Sequence, residues 1–240
     1  MQPAYNYGTK KIEYGEVLIR KYMNMDNVAN ILRYVKINQM EVVFDIDVLR
    51  ETLRIMSCYD SIEYPIGVNL CSATAEKERI ADRILLEIDS YDIPHENIII
   101  EINEETDFSN PNVAENIDIL RKAGIKIALD DFGIKNANLY TLMYDNIDIL
   151  KIDRSFIENK TIELEKSQHE ILTMVMSLCK KLNLKHIVEG IETEKQLKNI
   201  QDMGYSVVQG YLYQKPVLFN EFSLNRSDAQ LGNNEEEDFR

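Results

Sequence analysis

The sequence holds no tryptophan, five prolines, three cysteines and three histidines among 240 residues. Each shortage closes a line of explanation. Cys58, Cys71 and Cys179 are odd in number and widely spaced, with no Cys-x-x-Cys pair. That excludes a disulfide framework and predicts a reduced, cytoplasmic protein with buried thiols. His95, His169 and His186 form no His-x-x-x-His pair, which speaks against zinc. Positive charge is also short: 27 Lys and Arg stand against 41 Asp and Glu, a net charge of −14. A DNA or RNA polymer would need a basic face, and a membrane surface a polybasic anchor. A small phosphate-bearing ligand stays open if cations neutralise its site. No apolar run approaches the about 18 residues of a spanning helix. The opening MQPAYNYGTKK lacks the apolar stretch of a signal peptide. Repeats and interdomain linkers are missing too.

What is present suits one large α/β domain over residues 1–225. Hydrophobic residues make up 45% and charged residues 28%, a globular balance. Short apolar runs predict strands at Gln2–Tyr5, Ile12–Leu18, Ile66–Leu70, Ile98–Ile102, Ile125–Leu129, Ile147–Ile152, His186–Val188 and Val207–Tyr213. Between them lie amphipathic stretches. Ser72 is placed to cap a helix over Ala73–Asp89, and Pro111–Ala123 opens with proline in its first turn. Ser167–Asn183 repeats apolar residues at helical spacing, and Thr193-x-x-Gln196 reads as a capping box. Strands alternating with helices predict βα units closing into a (β/α)₈-type barrel. Gly8-Thr9-Lys10 is too short for a parallel crossover, so the barrel should open with an antiparallel hairpin. Residues 226–240, with Glu235-Glu-Glu-Asp238, read as a solvated acidic tail.

The apolar runs deliver polar residues at their C-terminal ends: Glu16, Asn69, Glu101, Asp130, Asp131, Lys151, Asp153, Glu189 and Gln209. In a barrel those ends meet on one face. Charges buried singly are costly, so this many converging acids predict a site. Its donors are all oxygen, which suits Mg²⁺ or Mn²⁺ better than zinc or copper. Asp130 and Asp131 are adjacent, and alternation along a strand would point them apart unless the strand ends there, where Gly133 signals a turn. Lys151 would stay protonated among the acids; its plainer role is an ion pair with Asp153. Glu104 and Glu192 each follow a strand-end acid by three residues, as loop-bracing carboxylates or helix N-terminal acids would.

Taken together, these blocks resemble the EAL domain, the bacterial cyclic di-GMP phosphodiesterase module. They are Gln2-Pro3, Glu16-Val-Leu18 with Arg20, Val68-Asn-Leu70, Glu101-Ile-Asn-Glu104, Ala128-Leu-Asp-Asp-Phe-Gly133, Leu150-Lys-Ile-Asp-Arg-Ser-Phe156, Val188-Glu-Gly-Ile-Glu-Thr-Glu194 and Gln209-Gly-Tyr211. They cover residues 2 to about 218 in order. The resemblance implies a modified TIM barrel with an antiparallel first strand, two Mg²⁺ or Mn²⁺ ions, and hydrolysis of cyclic di-GMP to linear pGpG. It implies Glu16, Asn69, Glu101, Asp130, Asp131 and Glu189 as metal ligands. Lys151, Glu189 and Glu104 would serve catalysis, with Lys151 positioning the water and Glu104 bracing the loop after Asp131. Gln2, Glu16, Leu18, Arg20, Asn69, Asp153 and Gln209 would face the substrate. A homodimer is also implied. Two departures stand out. Val17 replaces alanine, and Ile134-Lys-Asn-Ala-Asn138 replaces the family's Thr-Gly-Tyr-Ser-Ser. The second keeps an alternative open: a catalytically weak cyclic di-GMP receptor, or a regulator that binds a protein partner.

Overall fold

The computed structural model describes residues 1–59, 63–133, 141–142, 146–158 and 162–218. The sequence readings at Ile134–Asn138 and in the acidic tail lie outside them.

Eight strands close into a barrel in sequence order. β1 (Gln2–Asn6) and β2 (Lys11–Glu16) form the predicted hairpin, with Gln2 opposite Glu16. β1 also runs antiparallel to β8 (Val207–Gln209), with Ala4 opposite Gln209. The remaining pairs are parallel: β2 with β3 (Ile66–Leu70), then β4 (Ile98–Asn103), β5 (Lys126–Phe132), β6 (Ile149–Ile152), β7 (Lys185–Val188) and β8. The antiparallel first strand and the barrel are as expected. β2 stops at Glu16 and β8 at Gln209, earlier than the apolar runs suggest.

The helices are α1 (Val28–Ile37), α2 (Glu41–Met56), α3 (Ser72–Ala75), α4 (Ile80–Asp89), α5 (Pro111–Lys122), α6 (Ile162–Leu182) and α7 (Glu194–Asp202). α5 has Asn110 at its cap and Pro111 in its first turn; α7 has the full Thr193–Gln196 capping box. The expected single helix over Ala73–Asp89 is instead two. Arg79 turns left-handed at φ 58°, and Ser72 is the first helical residue rather than the cap. The break is satisfied from outside the segment. Asn116 of α5, buried, donates to the Ala75 and Lys77 carbonyls and accepts from Ala81 N–H. Helical periodicity cannot register a partner 35 or more residues away.

The main core lies between strands and helices, with Val68, Ile100, Ile102, Leu129 and Leu150 facing outward onto Leu53, Ile84, Ile117 and Val175. Inside the barrel a second, smaller cluster contains Ala4, Tyr14, Ile99, Ala128, Ile149 and Ile187. Residues two apart share a strand face. One step from this apolar layer therefore come Gln2, Glu16, Glu101, Asp130, Lys151 and Glu189. Asn69 and Gln209 follow in the same way from Gly67 and Val207. The polar residues of all eight strands thus form one layer at the barrel mouth, seated on an apolar plug.

Candidate active site

Lys151 sits at the centre of that layer, 1% exposed. Its Nζ lies 2.5 Å from Glu101, 2.8 Å from Glu189, 2.9 Å from Asp130 and 3.3 Å from Glu16. The plainer pairing with Asp153 is not the one formed. Asp153 instead caps the short turn Arg154–Phe156 by accepting from Ser155 N–H at 2.8 Å. Burial alone would lower the lysine pKa, but the four carboxylates reverse that and hold it well above its usual value.

The acids show the opposite strain. Burial, opposed by Lys151 but reinforced by Glu16 and Asp130, pushes Glu101 well above the usual carboxylate range. Burial first, and Asp130 and Glu16 after it, push Glu189 up to about 8 against the pull of Lys151. Asp131 is pushed up to about 6 by burial, then by Asp130 and Asp153. One ammonium is too little positive charge for this many crowded carboxylates.

Asp130 and Asp131 face the same centre although β5 runs on to Phe132, because a bulge breaks the alternation within the strand. Asp131 adopts a left-handed φ of 58°, and the β5–β6 register shifts between Leu129 and Phe132. The reversal removes the alternation that would have separated the two side chains. Asp131 Oδ2 accepts from Asn103 Nδ2 at 2.9 Å. Gly133 closes the turn at φ 102°, where the Phe156 ring leaves no room for a Cβ. Its N–H donates to Glu104 Oε2 at 2.9 Å. Glu192 is exposed and offers only its backbone N–H, to Gln196 Oε1, beside the α7 cap.

Two carboxylate groups have the spacing of metal sites. Oxygens of Glu16, Glu101 and Asp130 lie within 4.8 Å of one another, as do those of Asp130, Asp131 and Glu189. Asp130 belongs to both, as a bridging ligand would. The donor set fits a hard divalent cation in a second respect. Gln209 Oε1 is a buried acceptor without a hydrogen-bond donor, and Asp130 Oδ1 faces the Lys151 ammonium at 2.9 Å. Asn69 Nδ2 and Gln209 Nε2 donate to the two oxygens of Glu16, at 3.2 and 2.8 Å.

The other expected residues are more scattered. Gln2 lies opposite Glu16, and its amide donates to the Gln214 carbonyl at 3.2 Å. Arg20 is exposed and its guanidinium bonds the neighbouring Ile19 carbonyl. Leu18 lines a cavity of about 780 Å³ that opens beside Glu16, Asn69 and Asp130. The far wall of this cavity is apolar, with Val28, Leu32 and Val35 from α1 and Phe44 and Val48 from α2. Asp45, 2% exposed, also lines it; the residue accepts from Cys71 N–H at 2.8 Å, and burial pushes its pKa up to about 6. Sequence reasoning missed Tyr14, Asp45 and Asn103. Asn103 stands two residues after Glu101 and so shares its strand face, a signal that was available. Asp45 sits within a helix, where nothing marks it. Among the described residues no helix is long and apolar enough to cross a membrane.

The EAL domain family model matches residues 1–216. The probable cyclic di-GMP phosphodiesterase PdeA of Escherichia coli (strain K12) is 34% identical over 176 residues, which is 72% of this chain and 24% of that protein. The chain spans about a quarter to a third of the length of the first curated relatives it matches. The solved PaMucR phosphodiesterase, in complex with c-di-GMP, superposes with a TM-score of 0.82 at 24% identity, over 92% of this chain and 96% of that one. The FimX EAL domain from Pseudomonas aeruginosa, bound to c-di-GMP, gives 0.78 at 20% identity, over 90% and 88%. At these identities the structural likeness speaks for the fold.

Proposed function

The chain belongs to the EAL domain family, and from that premise we propose that it is a metal-dependent phosphodiesterase that hydrolyses cyclic di-GMP to linear pGpG. The observation that carries the reading is the polar layer: two carboxylate triads sharing Asp130, built around Lys151. A catalytically silent domain would gain nothing from burying mutually repelling acids. The relatives' names and the c-di-GMP in the solved neighbours support the choice of substrate.

In this reading Glu16, Asn69, Glu101 and Asp130 hold one Mg²⁺ or Mn²⁺, and Asp130, Asp131 and Glu189 the other. Bound there, divalent ions supply Lewis-acid polarisation of the phosphate and a water made nucleophilic at neutral pH. The protein does the rest. Lys151 donates hydrogen bonds into the centre and orients the attacking water opposite the leaving O3′. The P–O3′ bond breaks as the new P–O bond forms; the water gives up one proton, O3′ takes one up, and pGpG leaves with a free 3′-hydroxyl and a 5′-phosphate. Glu104 steadies the Asp131 turn through Gly133. Gln209 holds Glu16 in its rotamer. The apolar cavity behind Leu18 takes a guanine, and Arg20, in the exposed segment after β2, turns to the phosphate. Gln2 and Asp153 flank the same mouth.

The test is anion-exchange chromatography of the protein incubated with cyclic di-GMP, with Mn²⁺ and with EDTA. Appearance of pGpG only with metal is the expected result. Nucleotide binding without product would make the chain a receptor. Neither binding nor product would make it a protein-interaction module.

A further inference from the structure

Tyr14 lies in the apolar layer directly beneath the acids, two residues before Glu16 on β2. It is 2% exposed, and its hydroxyl reaches across β3 to donate to Glu101 Oε1 on β4. Lys151 Nζ takes the other oxygen, Oε2, at 2.5 Å. The two oxygens of Glu101 thus have different partners, one from below and one from the centre of the site.

The surroundings are shaped to this bond. A Cβ on Gly67 of the intervening strand would collide with the Tyr14 ring, its hydroxyl and Glu101 Oε1 together. Ala4 and Ala128 are small members of the same interior layer. These small residues make room for one long side chain. A filler of the plug would need no hydroxyl, and a buried hydroxyl is costly unless bonded. Glu101 is 0% exposed, so water does not substitute for a missing donor. A carboxylate oxygen has two lone pairs, so the bond from Tyr14 fixes Glu101 without exhausting it.

We propose that Tyr14 is a positioning residue for metal binding, setting the rotation of the Glu101 carboxylate so that it meets Glu16 and Asp130 around one cation. The inference rests on the metal-dependent reading above. Hydrogen-bond partners that orient a ligand typically contribute about 10- to 100-fold in metal affinity.

The experiment compares the Mn²⁺ affinity of the unmodified chain, measured by calorimetry without substrate, with that of three variants. Tyr14→Phe keeps the ring and removes the donor; its Kd for Mn²⁺ should weaken by about 10- to 100-fold. Its hydrolysis should recover most of its kcat at saturating Mn²⁺. Replacing Tyr14 with 4-aminophenylalanine keeps the ring and a weaker donor; it should bind Mn²⁺ more weakly than the unmodified chain, a comparison that stands on its own if Tyr14→Phe fails to fold. Tyr205→Phe removes another buried hydroxyl, which donates to the Leu172 carbonyl at 2.7 Å. It should lower the melting temperature and leave the Mn²⁺ affinity alone. Coincident metal titrations for the unmodified and Tyr14 chains would overturn the proposal, as would an equal shift in Tyr205→Phe. An unmodified chain that binds no Mn²⁺ would overturn both this inference and the reading beneath it. Metal binding that Tyr14→Phe leaves untouched would overturn this inference alone.

Discussion

The side chain of Glu104 accepts the backbone N–H of Gly133 at 2.9 Å, tying the turn after β4 to the turn after β5. Asp131 lies two residues before that anchor, in a left-handed conformation. A non-glycine residue holds such a conformation only when its surroundings impose it. Removing the anchor in Glu104→Ala should therefore free Asp131 more than it unfolds the chain. We expect activity at limiting Mn²⁺ to fall by about 10- to 100-fold, with partial recovery at excess metal. Metal titration of initial rates, alongside thermal melting, checks this. A lowered melting temperature with an unshifted metal midpoint would assign Glu104 a structural role only.

Lys151→Met removes the ammonium that four carboxylates contact. Breaking one side of a buried ionic network costs about 3–5 kcal/mol, because the partners stay buried and unpaired. Urea unfolding in EDTA should show a loss of that order. Added Mn²⁺ should restore part of it by supplying the missing positive charge, while hydrolysis stays absent. If stability in EDTA is unchanged, the acids are already neutralised by protons and the ionic picture of the layer is wrong.

The barrel and most of this site were legible because each rests on a local pattern. Short apolar runs that each deliver a polar residue near their C-terminal end, as at Glu16, Glu101 and Asp130, mark strand ends that meet on one face of a barrel. The short Gly8–Lys10 turn gives the hairpin. Harder to read were features set by distant partners. The Arg79 break depends on Asn116, the role of Lys151 on four strands at once, and the cavity on how α1 and α2 face the residues after β2. Asp153 illustrates the ambiguity: its position after β6 fits ion pair, substrate contact or cap alike, and only the geometry at Ser155 N–H identifies the cap.

The acid layer also sets a pH dependence. Without metal, burial raises Asp131 to about 6 and Glu189 to about 8. Both groups hold protons more tightly folded than unfolded. Their contribution to stability is complete below the ordinary carboxylate range. It is lost as pH rises, through about 6 for Asp131 and about 8 for Glu189, at up to about 1.4 kcal/mol per pH unit for the buried Glu189 and less for the half-buried Asp131, which solvent screens. Melting curves in EDTA should thus decline over this window, and Glu189→Gln should flatten the upper part. With excess Mn²⁺ the trend should reverse, since binding requires ionised carboxylates and releases protons. Identical pH profiles for the unmodified chain and Glu189→Gln in EDTA would remove Glu189 from this account.

The cavity wall offers a test of where substrate sits that leaves the acids untouched. Leu32 is 45% exposed and lines the cavity from α1. That helix is held by a small cluster of its own, Ile31 and Val35 against Phe44, apart from the barrel core. Leu32→Asp would place a negative charge in the cavity that Glu41 and Asp45 also line, where a nucleobase would enter and an anionic ligand would follow. The change should weaken ground-state and transition-state binding alike, since the reacting phosphate lies elsewhere. We expect KM to rise by about tenfold, equivalent to about 1.4 kcal/mol, with kcat nearly unchanged. Ile37→Asp supplies the comparison, being 68% exposed on the same helix and away from the cavity lining. It changes net charge equally and should leave KM within about twofold, as surface substitutions usually do. Steady-state rates with cyclic di-GMP distinguish the two. Equal KM shifts would reduce the effect to long-range repulsion from an already acidic chain. A fall in kcat at constant KM would mean that α1 shapes the catalytic layer and that the base is held elsewhere on the barrel mouth.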